Sequence, residues 1–455
     1  MSRSDEPTDP RRVVVLDVIG LQPDHLASGL APTLSDLFGE ATHLEPQFPA
    51  LTVPAQTTLA TGHSPGDHGD VASGEYDRER DEVAFWDRDR DGRDRIWEAA
   101  SDADLTTGAL FFQHLIGTTA DVAITPSPIE DENNDMIEMD CWTNPDGWYD
   151  DLRDAQGHFP LHAYWGPGAS EESSEWILTA AAEAVERFDP DLLWVYVPHL
   201  DYAGLRHGPG EQLREQVGVV DDLVGEFLDA LRDDRWDETA LALVSEYGFH
   251  AVDHPVFPNR ALREAGLLET ADDGDVDLSA SEAFAMVDHQ VAHVYADEPE
   301  DARAALACLD GVAEVLDESG KAERGIDHRN SGDLVLVAGP DAWFQYYWWT
   351  DPAEAPPYAG EMDIHAKPGF DPCELFFGES GMVSLDPSKV GGSHGRVDES
   401  AFGVFGLGGP AVPAVDLPAA VDARAVAPTV AALLGVESAV DGPVDGVGSL
   451  AVPGE

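Results

Sequence analysis

The chain has 455 residues, 43% of them apolar and 11 of them tryptophan, so it can bury one large core with an inserted subdomain or form two ordinary domains, and it is not a disordered protein. Its 89 acidic residues face only 25 basic ones, and the formal net charge of −64 argues against nucleic acids and anionic membranes as partners of the bulk surface. Such a surface is tolerated best in molar salt, where the Debye length falls to about 3 Å, and we therefore expect a halophilic source.

The cysteines and the N-terminus indicate the compartment. Cys141, Cys308 and Cys373 lie far apart and form no CxxC pair, which excludes a disulfide framework and a thiolate zinc site. The polar segment MSRSDEPTDPRR runs directly into VVVLDVIG, without the features of a signal peptide, and no apolar run approaches about 20 residues. We expect a cytoplasmic protein whose residues 1–12 form a disordered tail.

Short apolar runs alternate with helical patterns along the chain. The runs predicted as strands are 13–18, 105–111, 192–197, 240–244 and 401–405. Their continuous hydrophobicity predicts strands buried on both faces of a mainly parallel sheet. Helical periodicity covers 171–188 and 211–231, and VAPTVAALLG (426–435) is typical of a helix that ends at a glycine. The pattern predicts an α/β sandwich with helices on both sides of the sheet.

The regular alternation stops at about residue 258 and resumes at about 390. We interpret 258–389 as an inserted cap between two parts of a catalytic core, 13–257 and 390–440, with a C-terminal tail at 441–455. The insertion contains the aromatic cluster WFQYYWWTD, which begins at Trp343. This cluster is either a surface on which a substrate group stacks or part of the core of the cap.

Polar residues just after apolar runs are the first candidates for a functional site, because ligands of α/β sheets bind beyond the carboxyl ends of the strands. Four such residues are Asp17, Asp201, Glu246 and His394. A single carboxylate after a strand is often only a helix cap or a turn residue. Three such carboxylates and a histidine in one chain favour a functional site.

Thr52 lies in FPALTVPAQTTLATGHSPGDHG, directly before a helical pattern that ends at Gly62. Free N–H groups and the helix dipole favour an anion such as phosphate at this end of a helix. Thr52 is therefore a candidate nucleophile. A simple N-cap is the alternative, and the two roles are compatible.

These motifs resemble the nucleotide pyrophosphatase/phosphodiesterase family of the alkaline phosphatase superfamily. Asp17 at a strand end, the segment from Phe48 to Gly69, PHLDYAGLRHGP around Asp201, and SHG around His394 stand in the order of that family. The resemblance implies an alkaline-phosphatase-like fold and a metal-dependent hydrolase of phosphodiesters, pyrophosphates or related phosphate esters and phosphonates. It makes Thr52 the nucleophile and a small-molecule phosphate ester the substrate.

The resemblance also implies two divalent metal ions, commonly zinc. One would be held by Asp17, Thr52 and the pair Glu246–Tyr247, and the other by Asp201 and His394. The family has histidine where this chain has Leu205, and Asp-His where it has Glu246–Tyr247. A site with fewer imidazoles and more oxygen ligands shifts the preference from zinc towards manganese, iron or magnesium.

Other histidines are candidates to replace the missing ligands, and His207 and His365 are included in the predicted metal site. The remaining spare histidines are His199, His250, His254 and His289. Two alternatives stay open: a phosphomonoesterase or phosphomutase on the same scaffold, and a catalytically inactive relative that binds a metal or ligand. The oligomeric state and the physiological substrate are not given by the sequence.

Overall fold

The structure is a computed structural model, and it describes residues 12–39, 41–78, 82–85, 94–131, 136–271, 274–362, 366–379, 381–412, 416–436 and 449–450. The strands are β1 (Arg12–Val18), β2 (Thr42–Glu45), β3 (Gly74–Asp77), β4 (Glu82–Phe85), β5 (Thr107–Leu110), β6 (Val122–Pro126), β7 (Ile129–Glu130), β8 (Met136–Glu138), β9 (Cys141–Asn144), β10 (Leu192–Val197), β11 (Thr239–Val244), β12 (His250–Ala251), β13 (His254–Val256), β14 (Ala283–Asp288), β15 (Val291–Ala296), β16 (Val312–Leu316), β17 (Leu334–Ala338), β18 (Ala342–Phe344), β19 (Gly392–Ser393), β20 (Gly403–Gly408) and β21 (Ala420–Asp422). The α-helices are α1 (Pro23–Ala27), α2 (Pro32–Leu37), α3 (Thr52–Thr61), α4 (Pro65–His68), α5 (Ile96–Asp102), α6 (Trp148–Gln156), α7 (Leu161–Tyr164), α8 (Glu172–Phe188), α9 (His199–His207), α10 (Glu211–Ala230), α11 (Pro258–Glu264), α12 (Pro299–Leu306), α13 (Glu318–Glu323) and α14 (Val426–Leu434).

A nine-stranded sheet lies at the centre of the molecule, in the order β21-β2-β20-β11-β1-β10-β5-β6-β9. Its middle strands, from β11 to β6, all run parallel. The strands β20 and β9 pair antiparallel with their neighbours. The prediction of an α/β fold with a mainly parallel sheet is therefore confirmed.

The residues of β1 explain why the strand sequences are continuously apolar. Val14 and Leu16 belong to the core on one side of the sheet, which α8 and α10 cover. Val13 and Val15 belong to the core on the other side, which α3, α5 and α14 cover. Because both faces of the strand are buried, alternation between apolar and polar residues is lost.

The predicted elements differ from the observed ones mainly at their ends. The strand predicted at 105–111 is shorter, and the strand predicted at 401–405 begins at Gly403 and continues to Gly408. β1 begins at Arg12, which we had assigned to the tail. Arg12 is fully buried because its guanidinium donates two hydrogen bonds to Asp233, each 2.8 Å long. The rest of the predicted N-terminal tail lies outside the described residues.

The predicted helices agree with the structure to within one residue. α8 begins at Glu172, α10 ends at Ala230, and α14 ends at Leu434. Gly435 follows α14 with a φ of 71°, the left-handed conformation that favours glycine at this position. Among the helices of the described ranges, none is both long and apolar enough to cross a membrane.

The segment 258–389 contains a second, antiparallel sheet in the order β14-β15-β17-β16. Val291 and Val335 of this sheet pack with Phe48 and Leu51, which directly precede α3. The segment therefore contacts the chain that leads to Thr52. Its boundaries, and those of the two core parts, stay predictions; of the predicted C-terminal tail, 441–448 and 451–455 lie outside the described residues.

The aromatic cluster of this segment is buried. Trp343, Tyr346, Tyr347, Trp348 and Trp349 are each at most 2% exposed. The rings of Tyr347 and Trp349 stack with their centroids 4.4 Å apart. The structure supports the interpretation that the cluster is part of the core of the insertion. A ring that stacks on a substrate must have an open face, and these rings have none.

Candidate active site

The carboxyl ends of three neighbouring strands bring the predicted carboxylates together. β1 lies between β10 and β11, and Asp17 of β1 is level with Val244, the last residue of β11. Glu246 follows β11 by two residues, and Asp201 lies in the first turn of α9, directly after β10. All three residues are at most 8% exposed. They meet at the edge of the sheet that the sequence predicted.

Thr52 is the first residue of α3, and Leu51 is its N-cap. Thr52 does not cap the helix; its Oγ1 instead lies 2.7 Å from the hydroxyl of Tyr247. The side chain is 8% exposed. The N-cap alternative is therefore wrong, and the hydroxyl is directed towards the residues that follow β11.

Glu246 and Asp17 form a pair of buried carboxyls beside Thr52. Gln56 Nε2 donates to Glu246 Oε1 over 2.9 Å, and Trp194 Nε1 donates to Asp17 Oδ2 over 3.4 Å. Burial raises the pKa of Asp17 to about 8, and a smaller effect of the Trp194 hydrogen bond opposes this rise. Burial, followed by the charge of Asp17, raises the pKa of Glu246 well above its usual value.

Asp201 and His394 form a second pair. His394 Nδ1 lies 2.8 Å from the carbonyl oxygen of Ala50, so Nδ1 carries the proton and Nε2 has a free lone pair. That Nε2 lies 3.8 Å from Asp201 Oδ1. Burial lowers the pKa of His394 to about 3 and raises the pKa of Asp201 to about 7, and a hydrogen bond from Tyr247 opposes the rise at Asp201. Two acceptor atoms thus face each other.

Tyr247 joins the two pairs. It is fully buried, and its ring stacks on that of His394 with a centroid distance of 3.8 Å and an angle of 14°. Its hydroxyl lies 2.7 Å from Oγ1 of Thr52, and Tyr247 is next in the chain to Glu246 of the first pair. We call Asp17, the predicted nucleophile Thr52 and Glu246 the nucleophile side, and Asp201 and His394 the histidine side.

The helix α9 separates Leu205 from His207. Residues four apart lie on the same face of a helix, so Leu205 is on the Asp201 face, where it is buried. His207 lies about 240° further around the helix from Asp201 and is exposed. The structure therefore brings Leu205 to the site and leaves His207 outside it. His365 lies outside the described residues.

The other spare histidines have different surroundings. His199 Nε2 lies 2.7 Å from Gln216 Oε1, His250 Nε2 lies 3.2 Å from Asp398, and His254 is 40% exposed. Only His289 contacts a predicted site residue among these four, because its ring centroid is 3.8 Å from that of His394. Its φ of 58° is unusual for a residue with a side chain.

Residues 13–371 match the family model of type I phosphodiesterase/nucleotide pyrophosphatase. The chain belongs to this family. An uncharacterised pyrophosphatase/phosphodiesterase of Schizosaccharomyces pombe is 24% identical over 243 residues, which are 52% of this chain and 44% of the length of that protein. The match thus spans less than half of that relative.

Solved structures show the same fold. Phosphonoacetate hydrolase of Sinorhizobium meliloti in complex with phosphonoformate has a TM-score of 0.61 at 16% identity, over 95% of this chain and 97% of that one. Murine ectonucleotide pyrophosphatase/phosphodiesterase 5 has a TM-score of 0.61 at 16% identity, over 93% of this chain and 95% of that one. An inactive threonine-to-alanine form of the murine protein, in complex with AMP, gives 0.60 at 16% identity, with the same coverage. The fold predicted from the motifs is confirmed, and the family to which the chain belongs is that of type I phosphodiesterases and nucleotide pyrophosphatases.

The family depends on divalent metal ions, and the buried polar atoms of this site fit such ions. Asp17 Oδ1, Glu246 Oε2, Asp201 Oδ1 and His394 Nε2 are all buried and have no hydrogen-bond partner among the residues that the structure describes. A buried carboxylate without a partner costs several kcal/mol, so this arrangement calls for protons or cations. Three oxygens and one nitrogen form a donor set that suits manganese, iron or magnesium better than zinc.

The same residues do not form a complete set of ligands by themselves. Across the described ranges, no three His, Cys, Asp or Glu side chains are arranged to hold one metal ion. This agrees with the composition of the two sides, because each has only two residues of these types. The histidine of the family that would complete the histidine side is replaced by Leu205.

Gln56 and Asp288 are site residues that the sequence analysis missed. Gln56 bonds Glu246 and also accepts a hydrogen bond from the backbone of Gln113 over 2.8 Å. It lies four residues after Thr52, on the same face of α3, and this spacing could have revealed it. Asp288 ends the strand β14, and burial raises its pKa to about 6. Its position after an apolar run is the signal that had selected the other carboxylates.

Proposed function

We propose that this chain is a metal-dependent phosphoryl-transfer hydrolase of phosphodiesters, pyrophosphates or related phosphonates, with Thr52 as its nucleophile. The observation that carries the proposal is the position of the Thr52 hydroxyl at the start of α3, 2.7 Å from Tyr247. Tyr247 directly follows the buried Glu246, to which Gln56 of α3 donates a hydrogen bond. The inactive threonine-to-alanine form of the murine relative supports a threonine as the essential residue.

The residues of the chain suit this reaction. Thr52 attacks phosphorus and forms a phosphothreonine, while the bond from phosphorus to the leaving group of the substrate breaks and that group departs with its electron pair. Water then attacks the phosphothreonine, which releases the phosphoryl product and restores the Thr52 hydroxyl. Asp17 and Glu246 would hold one cation next to Thr52, and Asp201 and His394 would hold the other. When bound, divalent cations neutralise the charge of the phosphoryl group and lower the pKa of a nucleophilic hydroxyl. Free N–H groups at the start of α3 stabilise the phosphoryl oxygens.

The surroundings of two arginines favour diesters over monoesters. Arg206 uses its guanidinium for backbone carbonyls, including a 2.8 Å hydrogen bond to Ala169. Arg396 pairs with Asp398 over 2.8 Å and also donates to Ala338. Neither is available for the additional charge of a terminal phosphate. We expect bis-p-nitrophenyl phosphate to be cleaved at least about 10-fold faster than p-nitrophenyl phosphate.

The test is a comparison of Thr52→Ala with Thr61→Ala in molar potassium chloride, with manganese supplied. Thr61 is a buried threonine of the same helix, and its hydroxyl donates only to the carbonyl of Thr57. Thr52→Ala should lower kcat at least about 1,000-fold, whereas Thr61→Ala should stay within a few-fold of the native protein. A phosphorylated Thr52 should appear by mass spectrometry in acid-quenched reactions. Native turnover in Thr52→Ala would refute the mechanism and favour the inactive, ligand-binding alternative.

A further inference from the structure

Tyr247 stands where the family has a histidine ligand, and its ring is held on two sides. One face stacks on His394, and its edge meets Phe249 with a centroid distance of 6.1 Å. The residue is fully buried at the end of β11. These contacts hold the ring in one position, so its hydroxyl occupies a fixed point in the site.

That point lies beside Thr52. The hydroxyl is 2.7 Å from Thr52 Oγ1, and either oxygen can be the donor of this hydrogen bond. Whichever hydroxyl donates, at least one lone pair of Thr52 Oγ1 stays outside the bond.

The phenol oxygen is already engaged with Thr52 over 2.7 Å. A phenol is also a weak metal ligand compared with the imidazole that the family has at this position.

We propose that Tyr247 is a positioning residue for Thr52 and not a metal ligand. This proposal rests on the proposed function of Thr52. The hydrogen bond holds Thr52 Oγ1 in one position and leaves an oxygen lone pair free to face phosphorus. In this chain, the position at which the family has a histidine ligand therefore holds a residue that orients the nucleophile.

The experiment compares Tyr247→Phe with Tyr346→Phe. Both changes remove one buried phenol hydroxyl, but that of Tyr346 makes no hydrogen bond, and its ring lies in the aromatic core of the insertion. Tyr247→Phe keeps both ring contacts, so its melting temperature should stay close to that of Tyr346→Phe. The activity substrate is bis-p-nitrophenyl phosphate, and the metal probe is Mn²⁺ in isothermal titration calorimetry.

We expect Tyr247→Phe to lower kcat by about 10- to 100-fold and to change KM less than about 3-fold. Its Mn²⁺ affinity should equal that of Tyr346→Phe. A loss of Mn²⁺ affinity in Tyr247→Phe would make Tyr247 a ligand and overturn the proposal. An unchanged kcat would overturn it as well.

The double variant separates this proposal from the function on which it rests. If Tyr247 acts through Thr52, Tyr247→Phe should cause no further loss of activity in the Thr52→Ala background, because the group that it positions is gone. An additional 10- to 100-fold loss there would show an independent role for Tyr247. Full activity of Thr52→Ala alone would instead refute the proposed function itself.

Discussion

The nucleophile side and the histidine side each lack an imidazole that the family has, and the two replacements have opposite effects on the local contacts. On the nucleophile side, an imidazole is replaced by Tyr247, and the new hydroxyl contacts Thr52. On the histidine side, an imidazole is replaced by Leu205, which is buried and brings no polar atom to Asp201. One substitution builds a new interaction, and the other leaves His394 Nε2 and Asp201 Oδ1 without partners. We therefore expect the nucleophile side to bind its cation more tightly.

The largest expected effect is that of Glu246→Gln. This change removes one of only two carboxylates on the nucleophile side and should lower both Mn²⁺ affinity and kcat by more than about 100-fold. Calorimetry and steady-state kinetics measure the two quantities. Glu183→Gln is the control, because Glu183 accepts a 2.5 Å hydrogen bond from Trp148 outside the site. Equal losses in both variants would contradict the assignment.

A smaller effect, a gain in zinc affinity, is expected from Leu205→His. An imidazole one helical turn after Asp201 supplies the missing ligand and should increase the zinc affinity of the histidine side by about 10-fold. Leu205→Asn is the matched control, since it is polar but lacks an imidazole. Competition with a chromogenic zinc chelator gives the affinities. If neither variant changes zinc binding, the histidine side is not a metal site.

The smallest effect concerns the stability of the metal-free protein. Burial raises the pKa of Asp17 from 3.8 to about 8, so the folded state binds this proton more tightly than the unfolded state does. The resulting stabilisation is complete below about pH 4 and is lost as the pH rises towards 8, so the melting temperature should fall by several degrees over that range. Asp201, with a pKa of about 7, contributes in the same direction over a narrower range.

Differential scanning calorimetry in the presence of a chelator tests this dependence. Asp17→Asn should reduce the fall throughout the range from about pH 4 to pH 8. Addition of Mn²⁺ to the native protein should restore the melting temperature at pH 8, because the cation takes the place of the protons. A melting temperature that rises with pH in the metal-free protein would contradict the raised pKa values.

The sequence predicted those parts of the molecule that depend on local patterns. The buried strands β1, β10 and β11 and the helix α14 follow from apolar runs and from Gly435, and the carboxylates were found because they follow such strands. β21, at the edge of the sheet, and β2, next to it, were missed because their runs are three or four residues long. The predicted strand at 401–405 began two residues too early and ended three residues too early, because Gly406 and Gly408 interrupt the apolar pattern.

Contacts between distant segments could not be predicted in the same way. The hydrogen bond between Thr52 and Tyr247 joins residues 195 apart, and nothing near either residue signals it. His207 was included because it is close to Asp201 in the sequence, but the helical rotation of α9 turns it away. His289 contacts His394 only because the insertion folds over the site. Sequence spacing within one helix predicts which residues share a face, whereas the sequence distance between residues of different elements does not predict whether they are in contact.

The hydrogen bond of His394 Nδ1 to the carbonyl of Ala50 also has a consequence for how the protein is made. It joins residues 344 apart, and Ala50 N donates to the neighbouring Gly395 over 3.0 Å. Contacts with such large separations form late, and during translation they must wait until the later residue has left the ribosome. The segment around Thr52 is synthesised early but cannot acquire its final partners until the region around His394 is available. We therefore expect a nascent chain that stops before this region to contain Thr52 without a working site, and any hydrolytic activity to begin only after the region around His394 has been synthesised.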